Sequence, residues 1–330
     1  MRQIYRGLKI ALLTIAVTAG GATTYLTLRR PAMAPPQDVH AEATPARLAR
    51  GKYLFELADC DGCHSERDFS RFGGPVIEGR RGAGTVLPAA MGLPGTIAPP
   101  NITPDCETGL GTWTDGEKIR AIREGVDRNG RTLFPMMPYE NFRNMSDDDV
   151  LSLVAYLDSL PPVKHSVPET HVNFPASVMI KGAPHPARGV ASPDRRDPLK
   201  YGEYLVRMAG CMGCHTPALS GGETFRVAPG VAVVSANISP DPETGIGRWS
   251  ERDFLDRIYQ YREYADHGSP QVGPESFTLM PWLNFSRLPP EDLKAIYAYL
   301  HSRPPVYKSV ETHPGWNPQP VKRAALSDAN

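Results

Sequence analysis

No sign of charge predominates. The 330-residue chain sets 36 Lys and Arg against 36 Asp and Glu and is formally neutral. That balance argues against a nucleic-acid binder, which carries a basic excess. Cysteine is scarce, with five residues, too few for a disulfide framework. No segment shows the sustained apolar–polar alternation of a half-buried strand. Neither a phosphate-cradling glycine loop nor a nucleophile–base set is written into the chain. Proline, in contrast, is abundant at 34 residues, beside 30 glycines, and this sets the expectation of short helices joined by long loops.

The N-terminus reads as an address. Arg2, Arg6 and Lys9 precede an uncharged run over 10–28, closed by Arg29 and Arg30. Nineteen residues of helix match the hydrocarbon core of a bilayer, about 30 Å thick. The expectation is a single membrane span with residues 31–330 on the far side, held there by the basic cluster ahead of the span. The rival is a cleaved signal peptide with its site near "PAMA" at 31–34, which would release the rest of the chain.

Beyond the span, the chain is written twice. "NITPDCETGLGTW" at 101–113 returns as "NISPDPETGIGRW" at 237–249, "MPYENF" at 137–142 as "MPWLNF" at 280–285, and "VAYLDSLPPV" at 154–163 as "YAYLHSRPPV" at 297–306. The landmarks keep their order while the offset between copies changes, as in a tandem duplication whose loops have drifted. The expected organisation is an anchor and short linker over 1–45, one domain over 46–165, a proline-rich linker over 166–197, a second domain over 198–310 and an extended tail over 311–330. Both copies read as helical. Thr114 with Glu117 and Ser250 with Asp253 are capping-box starts. Val150, Leu153, Val154 and Leu157, and again Leu293, Ile296, Tyr297 and Leu300, make one apolar stripe per final helix. Paired prolines end both helices.

Each copy opens on a pentapeptide, "CDGCH" at 60–64 and "CMGCH" at 211–215. Two cysteines one helical turn apart, followed at once by histidine, suit a c-type haem: two thioether bonds hold the porphyrin and the imidazole faces the iron. Zinc ribbons place their cysteine pairs closer together, and a thioredoxin-like dithiol expects a βαβ setting. The reading is therefore two covalently bound haem c groups, attached at Cys60 and Cys63 and at Cys211 and Cys214, with His64 and His215 as proximal ligands. Met137 and Met280 recur at the same register before the final helix and are the expected distal ligands. Met136 has a leucine as its counterpart. Asn101, Asn237, Trp113 and Trp249 also recur and are candidate haem contacts. Cys106 aligns with a proline and is expected to be a free thiol, near the surface or half-buried, with an axial thiolate or an intermolecular bridge as the alternative. His165, His171 and His185 fall in the linker and are expected to ligate nothing. His301 is expected to be solvated. The insertion "YADHGSPQVGPESFT" at 264–278 has no counterpart in the first copy and reads as a tolerated surface loop or a docking loop.

The motif series resembles the membrane-anchored class I cytochromes c found as cytochrome c subunits of periplasmic alcohol, aldehyde and gluconate dehydrogenases, over about residues 46–310. This resemblance implies an all-α protein of two tandem class I cytochrome c domains behind an N-terminal transmembrane helix. It also implies a place on the outer face of a bacterial cytoplasmic membrane, with the haem domains in the periplasm. The implied function is single-electron transfer between a redox donor, such as a dehydrogenase catalytic subunit, and a respiratory-chain acceptor. No nucleic-acid partner is expected. The alternative is a diheme redox enzyme of peroxidase or thiosulfate-oxidising type with one catalytic haem.

Overall fold

The computed structural model describes residues 2–228 and 231–314; the tail expected after residue 310 lies outside the described residues from 315 onward. Helix α1 (Arg2–Leu28) is exposed along its length and meets the body at its last turn, where Lys181 donates to the Thr27 carbonyl; the segment Tyr5–Leu28 is long and apolar enough to cross a membrane. The hydroxyls of Thr14, Thr18, Thr24 and Thr27 donate back to carbonyls four residues earlier, those of Ile10, Thr14, Gly20 and Thr23. This pairing satisfies those four hydroxyl protons within the helix, as an apolar medium requires.

Two helical domains follow. The first contains α2 (Pro45–Leu57), α3 (Cys60–His64), α4 (Asp115–Glu124), α5 (Tyr139–Phe142) and α6 (Asp147–Ser159). A one-turn helix, α7 (Ala176–Met179), lies in the linker. The second domain contains α8 (Pro198–Met208), α9 (Cys211–His215), α10 (Glu251–Tyr259), α11 (Arg262–His267), α12 (Trp282–Phe285) and α13 (Pro290–His301). Both capping boxes form: Thr114 accepts from the Glu117 amide and Ser250 from that of Asp253, with the carboxylates reaching back. Ser146 caps α6 by accepting from the Asp149 amide. The apolar stripe of α6 is buried throughout, and that of α13 is buried at Leu293, Ile296 and Leu300.

The core of each domain is a crossing of its first and last long helices, α2 on α6 and α8 on α13. The crossing depends on a missing side chain. A Cβ on Gly51 would collide with the Ser152 carbonyl, and one on Gly202 with that of Ala295. The same glycine thus lets the same two backbones meet in both copies.

Two short antiparallel pairs depart from the strand-free expectation. β1 (Gly95–Thr96) pairs with β2 (His171–Val172), tying the linker to the first domain. β3 (Thr224–Ala228) pairs with β4 (Val231–Val234) as a hairpin. Its β-branched residues carried the signal, over a length too short to register as alternation.

The domains dock by a reciprocal exchange. The Tyr53 hydroxyl on α2 donates to Asp292 at the start of α13, 2.5 Å, and that of Tyr204 on α8 donates to Asp149 at the start of α6, 2.5 Å. Tyr53 and Tyr204 are equivalent positions of the repeat, as are Asp149 and Asp292. The pattern is that of an isologous dimer built within one chain. Symmetry fails at Arg50, which makes a two-pronged ion pair with Asp149 at 2.8 Å, whereas its counterpart is Tyr201.

The insertion is neither a free surface loop nor an open docking loop. It straps the second domain to the first. The Phe72 amide donates to the Pro270 carbonyl and the Val272 amide to that of Ser70, both at 2.9 Å, and Arg71 donates to the Ser269 carbonyl at 2.9 Å. Phe72 stacks on Tyr261, and Phe69 meets Phe277. Sequence reading saw an unmatched segment; its partner is 200 residues away and has no counterpart either. Replacing Gly51 or Gly202 by alanine will force the crossed helices apart. We expect each variant to lose at least the roughly 1–3 kcal/mol typical of overpacking, read by denaturant unfolding of the holoprotein.

Candidate haem-binding sites

Helices α3 and α9 are single turns, so Cys60 and Cys63, and Cys211 and Cys214, project from one face of each. The residue before each turn is left-handed: Gly210 at φ 66° and Asp59 at φ 47°. Glycine adopts this conformation freely and aspartate tolerates it. Asp59 also uses its side chain, accepting a hydrogen bond from the Asn284 amide of the second domain at 2.9 Å.

In the first domain, Cys60, Cys63, His64, Asn101, Trp113 and Met137 line one largely apolar cavity of about 530 Å³, within the size range of cofactor sites, roughly 300–1,000 Å³. Two thiols, an imidazole and a thioether in a largely apolar cavity fit a covalently held haem. Met136 lines the same cavity, but Met137 packs against the core and Met136 does not. Met137 and Met280 also occupy the same turn: the Tyr139 amide donates to the Met137 carbonyl at 2.8 Å, and the Trp282 amide to that of Met280 at 2.7 Å.

The histidines are held alike. His64 Nδ1 lies 2.8 Å from the Pro100 carbonyl, and His215 Nδ1 lies 2.8 Å from the Ala236 carbonyl. The Nδ1–H tautomer satisfies that contact and leaves Nε2 with its lone pair for a metal. Burial lowers both imidazoles below their ordinary value, which favours the neutral ligand form.

The recurring NI[TS]PD motif explains how those carbonyls are fixed. Asn101 follows Pro100, and Asn237 follows Ala236. The Asn101 amide donates to Thr108 Oγ1 and to the carbonyls of Val163 and His165, while its oxygen accepts from the amide and hydroxyl of Thr103. Asn237 repeats this with Thr244, Val306, Lys308 and the Ser239 amide. Both side chains are occupied by protein partners. They staple the loop behind the histidine to the segment after the final helix. Trp113 lies in the cavity wall, with the Arg128 guanidinium 5.7 Å from its ring centre. Trp249 packs against the second core, and its carbonyl accepts from Tyr297 at 2.9 Å.

Sequence reasoning missed several contributors. Linker residues 166–170 and Val172 form part of the cavity wall, held by Arg131, which bridges Asp127 and Glu169 at 2.8 Å each. Cys106 is exposed, outside the cavity lining. The expectation of a solvated His301 holds only in part: the residue is half-exposed, but its Nε2 is buried, and the ring centre lies 4.1 Å from that of Tyr297.

The first attachment turn lies at the domain interface, where Asn284 of the second domain bonds Asp59. Asp59 raises the Cys214 thiol, and Cys214 contributes to raising Cys63, although burial is the larger cause in both. Duplicated Cys-x-x-Cys-His turns, an imidazole held through Nδ1 and a methionine before the last helix define a c-type haem protein with two sites. The chain belongs to the cytochrome c family, which matches residues 48–161 and 199–304. It carries two covalently bound haem c groups.

Among its relatives, the fructose dehydrogenase cytochrome subunit of Gluconobacter japonicus is 31% identical over 303 residues, 84% of this chain and 57% of that protein. The gluconate 2-dehydrogenase cytochrome c subunit of Pantoea cypripedii is 33% identical over 287 residues, 79% of this chain and 60% of that protein. A diheme cytochrome c-type protein of Cereibacter sphaeroides is 28% identical over 305 residues, 89% of this chain and 97% of that protein. The chain thus spans less than two thirds of the length of these dehydrogenase subunits.

Burial pushes the Asp59 carboxyl up to about 6 from an ordinary 3.8, against the pull of Arg67. An acid that is weaker in the folded state than in the unfolded one erodes stability as pH rises through that window. Asp59→Asn should therefore raise the holoprotein's thermal midpoint at pH 7, with the advantage vanishing below about pH 4, as read by melting at stepped pH.

Proposed function

We propose that the chain is an electron carrier. It takes single electrons from a dehydrogenase on the periplasmic face of a bacterial cytoplasmic membrane and delivers them to a respiratory acceptor. The observation that carries this reading is the reciprocal docking of the domains, in which Tyr53 bonds Asp292, Tyr204 bonds Asp149, and Asn284 bonds Asp59 at the entry to the first attachment turn. Neighbouring attachment sites suit transfer within one molecule. The dehydrogenase donor is supported by the names of the relatives, and the membrane location by α1.

Bound haem supplies a one-electron iron couple, whose potential is raised by His/Met ligation. In this reading Cys60, Cys63, Cys211 and Cys214 make the thioether bonds, His64 and His215 are the proximal ligands, and Met137 and Met280 are the distal ones. The Pro100 and Ala236 carbonyls orient the imidazoles. The Asn101 and Asn237 staples keep those carbonyls in place. The apolar cavity wall, completed in the first domain by the linker, excludes water. Nothing in this scheme requires a bond of a substrate to be broken. The carrier role needs both irons closed by protein ligands; a catalytic haem needs one of them open.

Absorption spectroscopy separates these roles. We expect two low-spin haems per chain, a methionine–iron charge-transfer band in the oxidised protein, and no change on adding cyanide at low concentration. Met137→Ala and Met280→Ala should each remove about half of that band and open one haem to the added ligand. A high-spin or cyanide-binding haem in the unmutated protein would replace the carrier reading with an enzymatic one.

A further inference from the structure

Outside α1, the most exposed large apolar side chains among the described residues are Phe174, at 74%, and Met179, at 73%. Both lie in the linker, at either end of a compact knob that includes α7. The knob is presented rigidly. The Asn173 amide donates to the Pro94 carbonyl at 2.8 Å, next to the β1–β2 pair that fixes the linker to the first domain.

The knob also touches the end of the apolar helix. Lys181 Nζ donates to the Thr27 carbonyl at 2.5 Å, and the Arg29 guanidinium reaches the Lys181 carbonyl at 3.5 Å. Thr27 is in the last turn of Tyr5–Leu28, 24 residues in length. A helix of that length extends about 36 Å, against a hydrocarbon core of about 30 Å. The final turn therefore emerges at the boundary between acyl chains and headgroups, and contact with it sets the height of the knob. Charge points the same way. Residues 170–193 contain Lys181 and Arg188 and no Asp or Glu, and Arg29 and Arg30 adjoin them. Exposed apolar side chains flanked by cations are what the surface of an anionic bilayer binds.

We propose that residues 174–181 form a second membrane contact, with Phe174 and Met179 entering the lipid boundary beside the exit of α1 and Arg29, Arg30 and Lys181 facing lipid phosphates. Residues 31–44 are already held on the first domain, where the Ala34 amide donates to Glu124 and the Ala41 amide to Asp115, so a single span leaves the body free to swivel only about Arg29 and Arg30, and this contact removes that freedom. It makes the first domain the membrane-proximal one, because Thr170 and Val172, just ahead of the knob, wall its cavity. The inference rests on the proposal that α1 spans the membrane.

The test uses full-length holoprotein with Cys106→Ser, carrying one nitroxide at a time at Phe174→Cys, Met179→Cys, Leu13→Cys or Arg252→Cys. Each is reconstituted into vesicles of phosphatidylcholine and phosphatidylglycerol. Electron paramagnetic resonance then compares the label's accessibility to oxygen, which concentrates in lipid, and to a water-soluble nickel chelate. Leu13 reports the span, and Arg252, 89% exposed on α10, reports bulk water. Labels at 174 and 179 should show an oxygen-to-nickel ratio several-fold above that at 252. Water-like ratios at 174 and 179 with a lipid-like ratio at 13 would overturn the contact alone. A water-like ratio at 13 would remove the anchor, and the contact with it.

Discussion

The exchange of tyrosine hydroxyls for carboxylates across the two domains is the constraint on which the rest of the molecule depends. Tyr53 reaches Asp292, and Tyr204 reaches Asp149. Each carboxylate lies in the first turn of a final helix, where the helix dipole already favours negative charge. Each tyrosine projects from the helix that leads into a Cys-x-x-Cys-His turn. The bonds that dock the domains thereby orient the two attachment turns toward a common interface. A hydrogen bond to a charged group contributes about 1.5–3 kcal/mol, so two of them form a compact joint, with Asp149 held in place by the Arg50 ion pair of its own domain. The strap from the second domain reinforces it from a separate place.

Within each domain the chemistry rests on indirect support. The candidate ligand His64 is oriented by the Pro100 carbonyl. That carbonyl is held because the next residue, Asn101, ties its loop to Val163 and His165 beyond the last helix. The last helix is in turn placed by the glycine crossing with the first. A perturbation at Gly51 thus reaches the imidazole through backbone and side-chain contacts alone. The second domain repeats every link with Gly202, the Ala236 carbonyl and Asn237.

Much of this was legible in the sequence, and some was not. The pentapeptides, the capping boxes and the apolar stripes of the final helices follow from local chemistry, and the structure forms them as read. Asn101 and Asn237 were recognisable as recurrent, but their recurrence could not reveal that they staple the loop behind each histidine, which their hydrogen bonds show; Asn101 also lines the cavity. The strap was illegible because both of its sides, the insertion and the loop around Phe72, lack a counterpart in the other copy. His301 was read from its position near a helix end as solvated, yet packing against Tyr297 leaves it half-exposed with its Nε2 buried. The linker looked like a spacer, but its first residues wall a cavity, because Arg131 and Glu169 hold it there.

The sequence by itself determined the number of domains, their helical class and the haem-attachment turns. These features are set by spacing along one chain and by a repeat that displays its own conserved register between copies. Only the tertiary structure decided how the two domains face each other, which unmatched segments join them, and where the linker lies. Those outcomes depend on pairs of residues such as Tyr53 with Asp292 and Asn284 with Asp59, more than 200 positions apart, whose meeting no local pattern encodes.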